Sequence, residues 1–134
     1  MNKLFGLSAL IFAFALPTLA AATTYKCTFK NLGRYNVIPP EVTIQVAPDG
    51  QSADVIERLA QRHTGGPVAA QFLRDSADML QVRWRLNRVP NSDGQMANLR
   101  FNMNFRKTDQ RAWMTFRASG FSNTDQGTGT CVVQ

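Results

Sequence analysis

Beyond residue 22 the chain alternates apolar and polar positions with a period of two almost throughout, the mark of strands that bury one face. Residues 24–30 set Tyr25, Cys27 and Phe29 against Thr24, Lys26, Thr28 and Lys30. Residues 41–46 set Val42, Ile44 and Val46 against Glu41, Thr43 and Gln45, then stop at Pro48, Asp49 and Gly50, whose residue types suit a tight turn. Residues 52–59 read as the returning strand, although Ile56, Leu59, Ala60 and His63 also fit one face of a short helix. Gly65, Gly66 and Pro67 break the chain before a weaker strand over residues 68–73.

Three stronger strands follow. Leu80, Val82, Trp84 and Leu86 alternate with Gln81, Arg83, Arg85 and Asn87; Leu99, Phe101, Met103 and Phe105 with Arg100, Asn102, Asn104 and Arg106; Ala112, Met114, Phe116 and Ala118 with Arg111, Trp113, Thr115 and Arg117. Turn residues at 90–95 and 108–110 separate them, and a short last strand over residues 128–133 carries Cys131. Eight evenly spaced strands with short connections predict an all-β domain, a single small antiparallel eight-stranded meander. A disulfide between Cys27 and Cys131 brings first and last strands within about 7 Å, which makes a closed barrel the simplest architecture. A two-sheet β-sandwich cross-linked at its rim is the alternative.

The apolar faces of the three strong strands fix a register. Leu86 opposite Leu99 places Trp84 opposite Phe101, Val82 opposite Met103 and Leu80 opposite Phe105, and the same parity sets Phe101 against Phe116 and Met103 against Met114. On the other face this register aligns Arg85, Arg100 and Arg117 in one row, Arg83, Asn102 and Thr115 in the next, and Gln81, Asn104 and Trp113 in the third. Guanidinium groups about 5 Å apart repel one another unless solvated or shared by an anion. Their paired donors suit phosphate, sulfate and carboxylate, and the flat face of Trp113 suits a sugar ring. The competing reading is a solvated face, with the arginine stems covering apolar surface and Trp113 packed under Arg106.

The first 22 residues have the layout of a cleaved secretory signal: Lys3, an apolar run from Leu4 to Leu16, Pro17, then Ala20, Ala21 and Ala22, with cleavage after Ala22 or, failing that, Ala20. The run is too short to span a bilayer, which needs about 20 residues. The mature chain, residues 23–134, is then one domain in a periplasmic or secreted compartment, where oxidation makes the Cys27–Cys131 disulfide the default. Charge adds a further element. The sequence holds 15 Lys and Arg against 9 Asp and Glu, and loss of Lys3 with the signal leaves a net charge of +5, eleven of the fourteen cations being arginines. Such a balance favours anionic partners, here an anionic glycan, a glycolipid or an acidic protein surface, rather than nucleic acid.

Catalytic chemistry is poorly supplied. The one histidine, His63, sits beside a glycine-rich break, and a lone histidine is more often structural than catalytic. Both cysteines are committed to a bridge, which removes a thiol nucleophile and leaves no metal ligand set. The only glutamates are Glu41 and Glu57, and the turn register pairs Glu41 with Arg58. No glycine motif cradles a phosphate: Gly65 with Gly66 is too short, and Gly127 and Gly129 lie in a strand. These features predict a non-enzymatic exported binding module with no cofactor and no metal, its candidate residues being Arg83, Arg85, Arg100, Asn102, Trp113 and Arg117. A small hydrophobic-ligand carrier, using an interior lined by Phe29, Trp84, Phe101, Phe105 and Phe116, and an inhibitor or assembly factor for another envelope protein are the alternatives.

In layout, and in Tyr25, Lys26, Cys27 and the pair Ser119 and Gly120, the chain resembles the bacterial periplasmic inhibitors of animal-type lysozyme, which implies a small exported β-barrel. It departs from them after that pair, reading Phe121, Ser122 and Asn123 without the family's tyrosine, and its positive charge is a poor match for a basic lysozyme.

Overall fold

The computed structural model describes residues 12–16 and 21–134, so the predicted leader lies largely outside the described residues. Its strands are β1 (Thr23–Asn31), β2 (Glu41–Val46), β3 (Ala53–Glu57), β4 (Val68–Asp75), β5 (Met79–Pro90), β6 (Met96–Arg106), β7 (Arg111–Ser119) and β8 (Thr124–Val133), with α1 (Arg58–Thr64) between β3 and β4. Each strand pairs antiparallel with its neighbour in sequence and β8 returns to β1, closing the barrel and excluding the sandwich. Closure leaves no strand edge unpaired. Cys27 and Cys131 are register partners across that seam and form the disulfide.

Inward positions are supplied by the period-two pattern. Trp84, Phe101, Phe105, Leu80, Val82, Met103 and Met114 are almost wholly excluded from solvent. Trp84 stacks on Phe101 at 5.2 Å between centroids, Phe101 meets Phe116 at 5.3 Å, and Tyr25 meets Phe105 edge-on at 5.5 Å. Such pairs contribute about 0.5–1.5 kcal/mol each beyond the area they bury. The aromatic residues thus fill the centre of the barrel with one another.

Strand β8 begins four residues earlier than its sequence pattern predicts. Counting back by twos from Cys131 gives Gly129, Gly127 and Asp125, and the glycines serve the closure: a Cβ on Gly129 would lie 1.8 Å from the Thr28 carbonyl oxygen, and one on Gly127 2.9 Å from that of Lys30. First and last strands approach too closely there for any side chain. Asp125 is 5 % exposed, and its Oδ2 accepts from the Val37 N–H at 3.1 Å and from Asn31 Nδ2 at 3.5 Å, pinning the connection between β1 and β2 to the barrel end. Its Oδ1 has no hydrogen-bond partner.

The strand expected over residues 52–59 stops at Glu57, and the helical alternative takes over from Arg58. Glu57 is the reason. Its buried carboxylate accepts from the N–H groups of Leu59 at 2.6 Å and Ala60 at 2.7 Å, capping two donors that a starting helix leaves free. Gly65, in the left-handed region at φ 80°, ends the helix. Ala60 is buried and Leu59 packs against the core, so the turn of helix plugs the rim that a continued strand would leave open. The Glu41–Arg58 ion pair consequently does not form: the β2–β3 ladder ends with Val42 opposite Glu57, one pair short of it.

Candidate functional site

Strands β5, β6 and β7 have the predicted register. Arg85 is opposite Arg100 and Arg100 opposite Arg117; Arg83 is opposite Asn102 and Asn102 opposite Thr115; Gln81 is opposite Asn104 and Asn104 opposite Trp113. Inward pairs one step away hold this face in place, since Leu86–Leu99, Trp84–Phe101 and Phe101–Phe116 would all be turned outward by a slip of one residue. Burial therefore aligns the arginines.

Within the second row Arg83 Nε donates to Asn102 Oδ1 at 2.7 Å, a half-buried contact that orients its guanidinium. The first row has no such restraint. Ion pairs among the described residues are Arg106–Asp109 at 2.8 Å, Lys107–Asp75 at 2.7 Å and Arg111–Asp109 at 4.0 Å, and none involves Arg85, Arg100 or Arg117. Arg85 and Arg117 are exposed and Arg100 is half-buried. Their donors face solvent, free to share an anion.

Trp113 is not part of that row. It stands four residues from Arg117 along β7, roughly 13 Å at the rise of an extended strand. The Arg106 guanidinium lies 5.9 Å from its ring centroid and is held there by Asp109, whose pKa that hydrogen bond lowers below the ordinary value of 3.8. Trp113 is thus engaged with a cation of its own strand neighbourhood, on the wall of a separate hollow with Arg111 and Thr128.

Two hollows meet at Arg117 that the sequence pattern did not single out. One, of about 700 Å³, lies between the β1–β2 connection and β7–β8; Arg34, Tyr35, Thr115, Arg117 and Asp125 line it. The other, of about 350 Å³, is lined by Arg100, Arg117, Ser119, Gly120, Phe121 and Ser122. Arg34 and Tyr35 belong to an irregular connection with no periodicity to read. Asp125 was legible only by extending the parity of Cys131 backward through two glycines, residue types that ordinarily mark the end of a strand.

At the opposite edge of this barrel end, His63 Nε2 donates to the Asn87 carbonyl at 2.7 Å, tying α1 to β5. Glu57 has its pKa raised above 4.5 by burial, against the lowering effect of its two backbone donors and of the nearby Trp84 indole. Trp84 Nε1 itself has no partner in hydrogen-bond geometry. No group of three or more His, Cys, Asp or Glu side chains able to hold a metal occurs among the described residues, and no helix among them is long and apolar enough to cross a membrane. Comparison with protein families, with curated proteins and with solved structures finds no match.

Proposed function

We propose that this protein is an exported, non-enzymatic binding module that takes an anionic envelope component, a glycan, glycolipid or acidic protein surface, on the face formed by Arg85, Arg100 and Arg117. The observation that carries the reading is the row itself: three guanidinium groups on adjacent strands, none paired with a carboxylate of the described residues, on the outside of a packed barrel. Like charges directly opposed in a sheet cost stability, so the arrangement gains from an anion shared between them. Arg83 and Asn102, locked to each other in the next row, extend the donor surface. The disulfide across the closing seam is compatible with export into an oxidising compartment. A filled interior, with Trp84 and Phe101 stacked at its centre, argues against a ligand carried in the middle of the barrel.

Arg100→Glu, checked for an unchanged melting temperature, tests the reading on an anionic matrix such as immobilised heparin. The protein is retained at low salt and elutes as salt rises, whereas the variant elutes earlier. Identical elution of the two proteins would show the row to be ordinary surface.

A further inference from the structure

The geometry points to an anionic amphiphile as the ligand of this face: a molecule with one phosphate, sulfate or carboxylate group on a short apolar tail, the head held by Arg100 and Arg117 and the tail folded over the barrel rim. The inference rests on the arginine reading above and narrows it. Leu99 and Ala118 form an inward pair, and the very next pair, Arg100 and Arg117, points outward. Apolar and cationic surfaces therefore lie on the two sides of one sheet, a single residue step apart, and they come together where the sheet ends.

At that end the 350 Å³ hollow of the two arginines borders a second of about 260 Å³, which is walled by Val37, Leu59, Val89, Leu99 and Phe116, almost entirely apolar groups. Ala118 and Phe121 line both. Phe121 is the hinge between them, a large apolar residue left 38 % exposed in the β7–β8 turn, where its N–H bonds to the Ala118 carbonyl at 3.2 Å and Gly120 supplies a left-handed backbone at φ 81°. A bare inorganic anion would use the arginines and leave the apolar hollow and the Phe121 ring wet. A purely apolar molecule would fill the hollow and leave the guanidinium groups unanswered. One ligand carrying both chemistries satisfies both surfaces.

Calorimetric titration of the purified protein with octyl phosphate, and separately with inorganic phosphate and with octanol, tests this. Octyl phosphate is expected to bind about tenfold or more tightly than inorganic phosphate, the factor given by burying a few methylene groups. Ala97→Leu, which fills the apolar hollow from its half-buried wall, should weaken octyl phosphate by about fivefold or more and leave inorganic phosphate unchanged, and Phe121→Ser should weaken octyl phosphate more than inorganic phosphate. Arg117→Gln should weaken both phosphates. Equal affinity for octyl phosphate and inorganic phosphate, with Phe121→Ser silent, would overturn the amphiphile while the arginine reading stands. Octyl phosphate binding no better than octanol, with Arg117→Gln silent, would overturn both, as would the failure of every probe to bind.

Discussion

Arg100 of β6 and Arg117 of β7 are directly opposed across the sheet, and neither pairs with a carboxylate of the described residues. The pairing is imposed by the apolar residues on either side of it, Leu99–Ala118 and Phe101–Phe116, whose burial outweighs the repulsion. Replacing one of the two charges should therefore stabilise the free protein. Arg117→Gln is expected to raise the unfolding free energy at low salt by about 0.5 kcal/mol. It should also lose most of the extra stability that sulfate gives the wild type, because a ligand stabilises only the state that binds it. Urea unfolding at low salt, with and without sodium sulfate, measures both effects. A destabilised variant would mean that the Arg117 stem packs more than its charge repels.

The buried carboxylate of Glu57 makes stability depend on pH in the sense opposite to most carboxylates. Burial raises its pKa above 4.5 in the folded protein, so the native state holds the proton more tightly than the unfolded chain. Its contribution is fully present below the unfolded value and is lost as pH rises through the folded one. Comparison with Glu57→Gln, which cannot titrate, isolates the group from carboxylates such as Asp109 whose shift runs the other way. The stability of the wild type relative to this variant should fall as pH rises from the unfolded value of 4.5 through the higher folded one. A constant difference would show that the two N–H bonds to Leu59 and Ala60 cancel the desolvation, and one that grows with pH that they outweigh it. Glu57→Ala, which removes the cap altogether, should cost about 1–2 kcal/mol at low pH and less as pH rises through the folded value.

Cross-linking Cys27 to Cys131 closes a loop of 104 residues in sequence, nearly the whole barrel. Restriction of the unfolded chain by so long a loop is worth about 5 kcal/mol in the chain-entropy account. The double variant Cys27→Ser, Cys131→Ser should lose stability on that order and unfold at much lower urea. A loss below about 1 kcal/mol would show that the reduced chain retains residual order across the seam.

Gly129 provides a second hold on the same seam. Its missing side chain leaves room for the Thr28 carbonyl, which a Cβ would meet at 1.8 Å, and that obstacle is backbone. Gly129→Ala must spread β1 from β8 and is expected to cost roughly 3 kcal/mol. Gly127→Ala should cost less, since its obstacles, the Ile38 side chain at 2.8 Å and the Lys30 carbonyl oxygen at 2.9 Å, stand further off than the 1.8 Å at Gly129. Urea midpoints of the two variants give the ranking, and equal losses would contradict it.

Much of this barrel is legible in the order of residues because a half-buried strand must alternate, and alternation survives without knowledge of the neighbours. Strands β5, β6 and β7 could be paired correctly because each inward residue is large and apolar, so that only one parity buries all of them. The same logic aligns Arg85, Arg100 and Arg117 from the order of residues alone. It failed where alternation was carried by residues that do not look like strand: Asp125 at the start of β8, and the β5 bulge, where Arg88 adopts φ 55° and its N–H bonds to Asn98 Oδ1 at 2.9 Å. It failed again at Glu57, whose identity as a helix cap depends on being buried at a barrel rim.

By itself the sequence determined the strand count, the inward set, the cross-link and the cationic row, all of which follow from local periodicity and the valence of sulfur. Only the tertiary structure decided that the barrel is filled by Trp84 and Phe101, that of the two surroundings open to Trp113 the Arg106 guanidinium lies over its ring, and that an apolar hollow borders the arginines at Phe121. Those are relations among residues distant in the chain. Period-two alternation assigns a side chain to a face, whereas the depth of a hollow at the rim depends on how the connections between strands fold over the end.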